Sequence, residues 1–143
     1  MSKTFPKKAL AESWARKIEE EISEYLHVST ETTKTSVSAL LQRYFDEIAK
    51  DKTSHAAERS RVKTLSAFFG DTTVKDLTPK RVGAFIASRS KAVSRETLRK
   101  ETSTLSLAVQ AGMDLWDLRL RENPVSVARR TYKSRLKPGD ARD

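Results

Sequence analysis

The sequence predicts an all-α fold, a bundle of four principal helices preceded by one further helix. Apolar residues recur at steps of three and four along most of the 143 residues, which is the helical period, whereas strand-type alternation is rare. Ser, Thr, Pro and Gly stand at the ends of the periodic stretches, where helix caps and breaks are expected. The length is typical of one compact domain with extensions.

The bundle is organised around one long helix, expected over residues 94–116. Ser94 is a good N-cap because its hydroxyl can accept a hydrogen bond from a first-turn N–H group. Glu96 follows in the first turn, where the helix dipole favours an anion. The apolar stripe of this helix recurs over about six turns. It consists of Leu98, Thr102, Leu105, Val109, Gly112 and Trp116.

Four further helices are expected before residue 94. The first covers 5–27 and has a narrow apolar stripe, which is typical of a helix that packs on a partner or a neighbouring element. Gly70 ends one of the helices, and 72–77 are expected to be extended. The expected helices and their core positions are 5–27 (Leu10, Trp14, Ile18, Ile22 and Tyr25), 36–50 (Val37, Leu40, Leu41, Tyr44, Phe45 and Ile48), 54–69, capped by Ser54 (Val62, Leu65 and Phe69), and 78–91, opened by Thr78 and Pro79 (Val82, Phe85 and Ile86).

The remaining segments look less regular. Residues 28–36 are rich in Ser and Thr and lack periodicity, which indicates a linker. Asn123 and Pro124 mark a break, since a residue before proline disfavours the helical region. Residues 125–130 can form one more short turn, and the basic tail from Arg119 to Asp143 is expected to be mobile. The predicted domains are 1–34 (N-terminal helix and linker), 35–130 (helical bundle) and 131–143 (basic linker).

The composition argues against several classes of function. Cysteine is absent, which excludes disulfides, thiol catalysis and thiolate metal sites. His27 and His55 have no second ligand at metal spacing, and Ser103 and Ser106 have no nearby base to activate them. We therefore expect no metal, no cofactor, no small-molecule substrate and no catalytic site.

The sequence also shows no sign of a membrane or secreted protein. No apolar run approaches the roughly 20 residues that a membrane span needs. No apolar signal segment follows the initial methionine. We expect a cytoplasmic protein without a membrane partner.

The positive charge is unevenly distributed. The formal net charge is +9, yet residues 1–34 hold six Lys or Arg and six Glu. The remaining 109 residues therefore hold 22 basic and 13 acidic side chains. A basic domain of this kind favours a polyanionic partner, most often nucleic acid.

Two of the expected helices carry basic faces away from their apolar stripes. In the third helix, Arg59 and Lys63 lie one turn apart, with small side chains such as Ser60 beside them. In the long helix, residues 99–103 place two cations and a serine off the core stripe. Small residues flanked by cations let a helix approach a phosphate surface closely, and two such helices suit the major groove better than one. An ordinary solvated face explains the same pattern.

Four segments in order carry a family resemblance. They are VSALLQRYFDEI (37–48), VKDLTPKRVGAF (74–85), VSRETLRKETSTLSLAVQAG (93–112) and ENPV (122–125). Together they resemble the core-binding domain of phage integrases of the tyrosine recombinase family. The opening KTFPKKALAESWARKIEEEI (3–22) is similar to the junction that follows the arm-binding domain in many integrases. The ending RLKPGDARD (135–143) is similar to the linker that leads into their catalytic domain.

The resemblance implies a SAM-like orthogonal four-helix bundle that forms half of a clamp on the recombination core site. Its partners would be double-stranded DNA and other integrase subunits. The catalytic Arg, Lys, His and Tyr of the family belong to a domain outside these 143 residues, so we assign no catalytic residue and expect a fragment or a truncated gene product. The side chains that the resemblance places on DNA are Arg59, Ser60, Lys63, Arg95, Arg99, Lys100 and Ser103.

Two other functions stay open at this point. One is a stand-alone basic DNA-binding regulator. The other is a helical protein-interaction module, in which the first helix docks to a partner and the charge serves only solubility.

Overall fold

A computed structural model describes the backbone of residues 7–28 and 30–133, and side chains within 12–22 and 32–133. These parts contain seven α-helices and two short 3-10 helices, with no β-strand beyond one isolated bridge. The all-α prediction is confirmed. The helices are α1 (Lys7–Val28), α2 (Thr30–Lys34), α3 (Val37–Glu47), α4 (His55–Phe69), α5 (Pro79–Arg89), α6 (Arg95–Leu115) and α7 (Pro124–Thr131).

The long helix α6 runs through the centre of the core. Ser94 caps it as predicted, because its hydroxyl accepts a hydrogen bond from the Thr97 N–H at 3.2 Å. Leu98, Leu105 and Val109 are fully buried. The last residue of the predicted stripe, Trp116, follows the end of the helix and is half-buried. Helices α3, α4, α5 and α7 all pack on α6.

The predicted core faces of α3, α4 and α5 are buried, apart from Ile48, which follows α3 and is half-buried. The caps agree less well with the prediction. The side chains of Ser36 and Thr78 cap α3 and α5 by accepting hydrogen bonds from backbone N–H groups. Ser54 precedes α4, but its backbone has φ −87° and ψ 20° and its side chain makes no capping hydrogen bond. The expected cap at Ser54 is therefore wrong.

Gly70 reverses the chain after α4. Its φ of +53° and ψ of −123° form a conformation that favours glycine because a Cβ atom would be strained there. The Ser38 hydroxyl donates to the Gly70 carbonyl at 2.7 Å, which ties the turn to α3. The extended stretch expected over 72–77 is only partly present, since Val74–Asp76 form a 3-10 turn.

The C-terminal part of the described chain is folded rather than mobile. Asn123 caps α7, its side-chain oxygen accepting from the Val125 N–H at 2.9 Å. Val125 and Ala128 are fully buried. The expectation of a mobile tail from residue 119 is wrong as far as residue 133. Its remainder, 134–143, lies outside the described residues.

The segment expected to be a linker contains the one-turn helix α2. Thr32 in this helix is buried, and its hydroxyl oxygen accepts the Arg119 backbone N–H at 2.7 Å. The Thr35 carbonyl accepts the Val74 N–H at 2.9 Å. The linker prediction is therefore wrong for 30–34, since a single helical turn is too short to show periodicity. The domain boundary at 34/35 stays a prediction.

Helix α1 exposes part of its expected stripe. The Trp14 side chain is 68% exposed, whereas Ile18 and Ile22 are half-buried. The side chains of Leu10 and Tyr25 lie outside the described residues. Of the helices in the described parts of the chain, none has the length and apolar character to span a membrane.

Replacing Gly70 with alanine tests the turn after α4. We expect Gly70→Ala to lower the free energy of unfolding by about 1–3 kcal/mol, because alanine must adopt the same positive φ. Urea unfolding followed by circular dichroism measures this change. The exposed neighbour Asp71→Ala serves as the control and should stay within about 0.5 kcal/mol of the wild type. Equal stability of the two variants would contradict the strained-turn assignment.

Two truncations test the role of α2. Deleting residues 2–28 removes α1 and leaves the Thr32 hydrogen bond in place. Deleting 2–34 also removes Thr32 and leaves the Arg119 N–H without that acceptor, which should cost about 1–3 kcal/mol more. Thermal unfolding of the two proteins measures the difference. Matching stabilities would show that the bundle begins after α2.

Candidate nucleic-acid interface

The two helices expected to contact DNA, α4 and α6, are joined by a buried carboxylate. Glu58 lies in the first turn of α4 and is only 5% exposed. Its Oε1 accepts a hydrogen bond from the Thr104 hydroxyl of α6 at 3.2 Å. Because a buried carboxylate needs such partners, this contact constrains both the spacing of the two helices and the rotation of α4 about its axis.

The same carboxylate connects to α3 and to the turn after it. The Tyr44 hydroxyl donates to Glu58 Oε2 at 3.0 Å, and Lys52 Nζ donates to the Tyr44 oxygen at 3.0 Å. Arg61 Nη1 donates to Glu58 Oε1 at 3.1 Å. Burial raises the pKa of the Tyr44 phenol above its ordinary value. The hydrogen bond to Tyr44 raises the pKa of Lys52. At neutral pH the network therefore holds a neutral phenol and a charged ammonium group.

A second buried carboxylate joins α5 to α6. Glu101 accepts two hydrogen bonds from the Arg89 guanidinium, from Nε at 2.9 Å and from Nη2 at 2.6 Å. This bonding raises the pKa of Arg89. The Arg89 guanidinium therefore stabilises the packing of α5 on α6 and is not a candidate for DNA contact.

The burial of these two carboxylates was not predicted, although the sequence carries a signal for it. Glu58 lies one turn before Val62 on the apolar stripe of α4, and Glu101 lies one turn before Leu105 on that of α6. An acidic residue in register with an apolar stripe indicates a buried, hydrogen-bonded group.

On α4, the predicted residues form one coherent surface. Arg59, Ser60 and Lys63 are exposed. Arg59 and Lys63 line a groove between α3 and α4, and the Arg59 guanidinium carbon lies 5.1 Å from the centre of the Phe45 ring. A cation–π contact at an exposed site contributes about 0.5–1 kcal/mol. Phe45 therefore favours one position of the Arg59 head group.

The groove also contains an acidic group. Asp46 of α3 lines it together with Gln42, whose Nε2 donates to Asp46 Oδ1 at 2.9 Å. Arg59 and Lys63 therefore share the groove with the negative charge of the Asp46 carboxylate. Ser60 points away from this carboxylate, because it lies opposite the buried stripe of α4 on a helical wheel.

On α6, the predicted residues differ in their availability. Lys100 is exposed, whereas Arg99 forms a bidentate ion pair with Glu96, with Nε–Oε1 at 2.8 Å and Nη2–Oε2 at 2.9 Å. Ser103 is half-buried. Arg95 lines a different depression, at the turn between α5 and α6. The structure thus places Arg59 and Lys63 in one groove and Arg95 in another.

Sequence reasoning missed the exposed cations of α5. Lys80 and Arg81 of this helix, and Lys91 of the turn after it, are exposed. Their signal in the sequence is the absence of any Asp or Glu between residues 77 and 95.

Comparison with known proteins gives no further assignment. No family model matches this chain, and neither a curated protein nor a solved structure matches it significantly. Within the described part of the chain, no group of three or more His, Asp or Glu side chains could hold a metal ion.

Tyr44→Phe tests the buried network. The substitution removes the donor to Glu58 and should cost about 1–3 kcal/mol at neutral pH. Raised pKa values mean that the folded state holds these protons more tightly than the unfolded state. Tyr44 and Lys52 therefore contribute stability that is complete below about pH 10 and is lost as the pH rises through their folded-state pKa values.

In the Tyr44→Phe variant, the free energy of unfolding should fall less as the pH rises, because residue 44 no longer titrates and Lys52 lacks its hydrogen-bond partner. Urea unfolding at several pH values between about 8 and 11 measures both effects. A parallel loss of stability in the wild type and the variant would contradict the network.

Proposed function

We propose that this chain binds duplex DNA through the outer faces of α4 and α6. The observation that carries the proposal is the exposure of cations on two helices that pack directly on each other through Glu58 and Thr104. The excess of 22 basic over 13 acidic residues after residue 34 supports a polyanionic partner.

The geometry of α4 suits a phosphate-lined groove. Arg59 and Lys63 are four residues apart, which is about 6 Å along the helix axis. The small Ser60 side chain is exposed beside them, so that the helix backbone can approach a nucleic-acid surface closely. The major groove of B-DNA is about 12 Å wide and admits a helix of this kind.

The ion pair of Arg99 does not prevent a DNA contact. Exposed pairs between residues one turn apart stabilise a helix by only about 0.2–0.5 kcal/mol. Hydrogen bonds between arginine and phosphate are charge-assisted and stronger than neutral ones. Arg99 can therefore exchange Glu96 for a phosphate at little cost.

The family resemblance extends the proposal to site-specific recombination. On this proposal, α3 to α6 form a SAM-like bundle that clamps one face of a recombination core site, beside other integrase subunits. The resembling segments coincide with α3, with the 3-10 turn before α5 and the first half of α5, with most of α6 and with the start of α7. We propose no catalytic role for this chain itself. Tyr44 is buried and donates its hydroxyl hydrogen to Glu58, an arrangement unsuited to a nucleophile.

A helical interaction module is the second candidate function. Trp14 on α1 is 68% exposed, and Leu107 and Leu115 on α6 are 48% and 65% exposed. Large apolar side chains in contact with solvent are typical of protein-binding surfaces when they cluster. A DNA titration separates the two candidates, since the interaction module needs no affinity for a polyanion.

Lys63→Ala and Arg99→Ala test the DNA interface. The wild type should bind a labelled duplex with a slope of about −4 to −5 in log affinity against log salt, corresponding to about five phosphate contacts. If a side chain contacts phosphate, its removal should weaken binding to all sequences and reduce the slope by about one unit. If the side chain contacts a base edge, its removal should cost about 1–3 kcal/mol of binding free energy on a duplex selected by the wild type. The same substitution should change the affinity for random DNA only slightly.

Glu20→Ala on α1 is the control and should leave binding nearly unchanged. Each variant should stay within about 0.5 kcal/mol of the wild-type stability, because both cations lie off the buried stripes. Unaltered affinity in both folded cation variants would overturn the proposed interface and favour the interaction module.

A further inference from the structure

The outer face of α5 is basic and uncompensated. Residues 77–95 contain five Lys or Arg and no Asp or Glu, in a chain where one third of the residues are charged. Arg89 is paired with Glu101 inside the fold. Across residues 30–133, by contrast, the exposed side chains of Lys80, Arg81 and Lys91 form no ion pair.

The surface between these cations is formed by small side chains. Ala84 and Ser88 are exposed on the same side of α5 as Lys80 and Arg81. On a helical wheel these four residues span about 100°, opposite the buried side of the helix. A flat helical face with cations at its edge can lie close to a charged backbone.

The dimensions fit a nucleic-acid strand. Lys80 and Ser88 lie about 12 Å apart along the helix axis. Successive phosphates of one DNA strand are spaced by about 3.4 Å along the duplex axis and also wind around it, so a face of this length can reach more than one phosphate. The faces of α4 and α6 differ in that Asp46 and Glu96 partly compensate their cations.

From these observations we infer that the outer face of α5, with Lys91, is a phosphate-binding surface for the backbone of duplex DNA. This inference rests on the proposed function and adds a third helix to the interface. Because its cations are uncompensated, the α5 face supplies more of the salt-dependent, sequence-independent affinity than Arg99 does. We assign Lys80, Arg81 and Lys91 to phosphates and not to base edges, and such contacts position the duplex without carrying sequence information.

A charge-matched pair of triple variants tests the inference. The first is Lys80→Ala, Arg81→Ala and Lys91→Ala. The control is Lys34→Ala, Lys50→Ala and Lys133→Ala, which removes the same number of exposed cations elsewhere on the chain. Fluorescence anisotropy of a labelled random-sequence duplex, measured over a series of salt concentrations, gives the affinity and the slope for each protein.

The α5 variant should bind with a salt slope smaller by about two to three units, at 0.9 unit for each lost phosphate contact. The control should keep a slope close to that of the wild type. Both variants should unfold cooperatively with wild-type midpoints, which shows that the bundle is intact. The preference for a selected duplex over random DNA should be the same in the α5 variant as in the wild type.

Three results would overturn the inference in distinguishable ways. If the α5 variant and the control have the same slope while Lys63→Ala lowers it, the DNA-binding function stands and the α5 surface is wrong. If the α5 variant loses the preference for the selected duplex, the face reads bases rather than phosphates. If the wild type itself does not bind duplex DNA at low salt, the proposed function and this inference both fail.

Discussion

The Glu58 carboxylate is the constraint on which the arrangement of the candidate interface depends. A carboxylate that is 5% exposed must be hydrogen-bonded, because an unpaired buried charge costs several kcal/mol. Its partners come from α3 (Tyr44), from α6 (Thr104) and from α4 itself (Arg61). One side of α4 must therefore face inward. Arg59 and Lys63 consequently lie on the outer part of the helix, so a group inside the core determines which cations are available to a partner.

Two physical classes of basic residue can be distinguished in the described part of the chain. Arg89 and Arg61 bind buried carboxylates and belong to the fold. Lys63, Lys80 and Lys100 are exposed, and their charges are available to a polyanion. Net charge alone does not separate the classes, because both contribute equally to the count. The separation matters for binding, since a phosphate contact releases counterions only where a cation is accessible.

Much of the fold could be predicted from the sequence, and the errors share a physical cause. The helices with long apolar stripes were predicted well, because periodicity over several turns reports which side will be buried. Helix α2 and the order of α7 were missed. Thr32 is buried because the Arg119 backbone lies against it, and Val125 is buried by packing of α7 on α5 and α6. Such contacts between segments distant in the chain leave no local pattern.

The sequence by itself determined the all-α class, the main core faces and the caps at Thr78 and Ser94, since these depend on residues within a few positions of one another. It also determined the overall excess of positive charge and named Arg59, Lys63 and Arg99 as candidate contacts. Only the tertiary structure decided that Glu58 and Glu101 are buried and that Arg89 is paired with Glu101, whereas the exposed Lys80 and Arg81 of the same helix form no ion pair within residues 30–133. Local spacing specifies a helix and its inward side, whereas the partners that a buried carboxylate finds on other helices depend on which helices pack together.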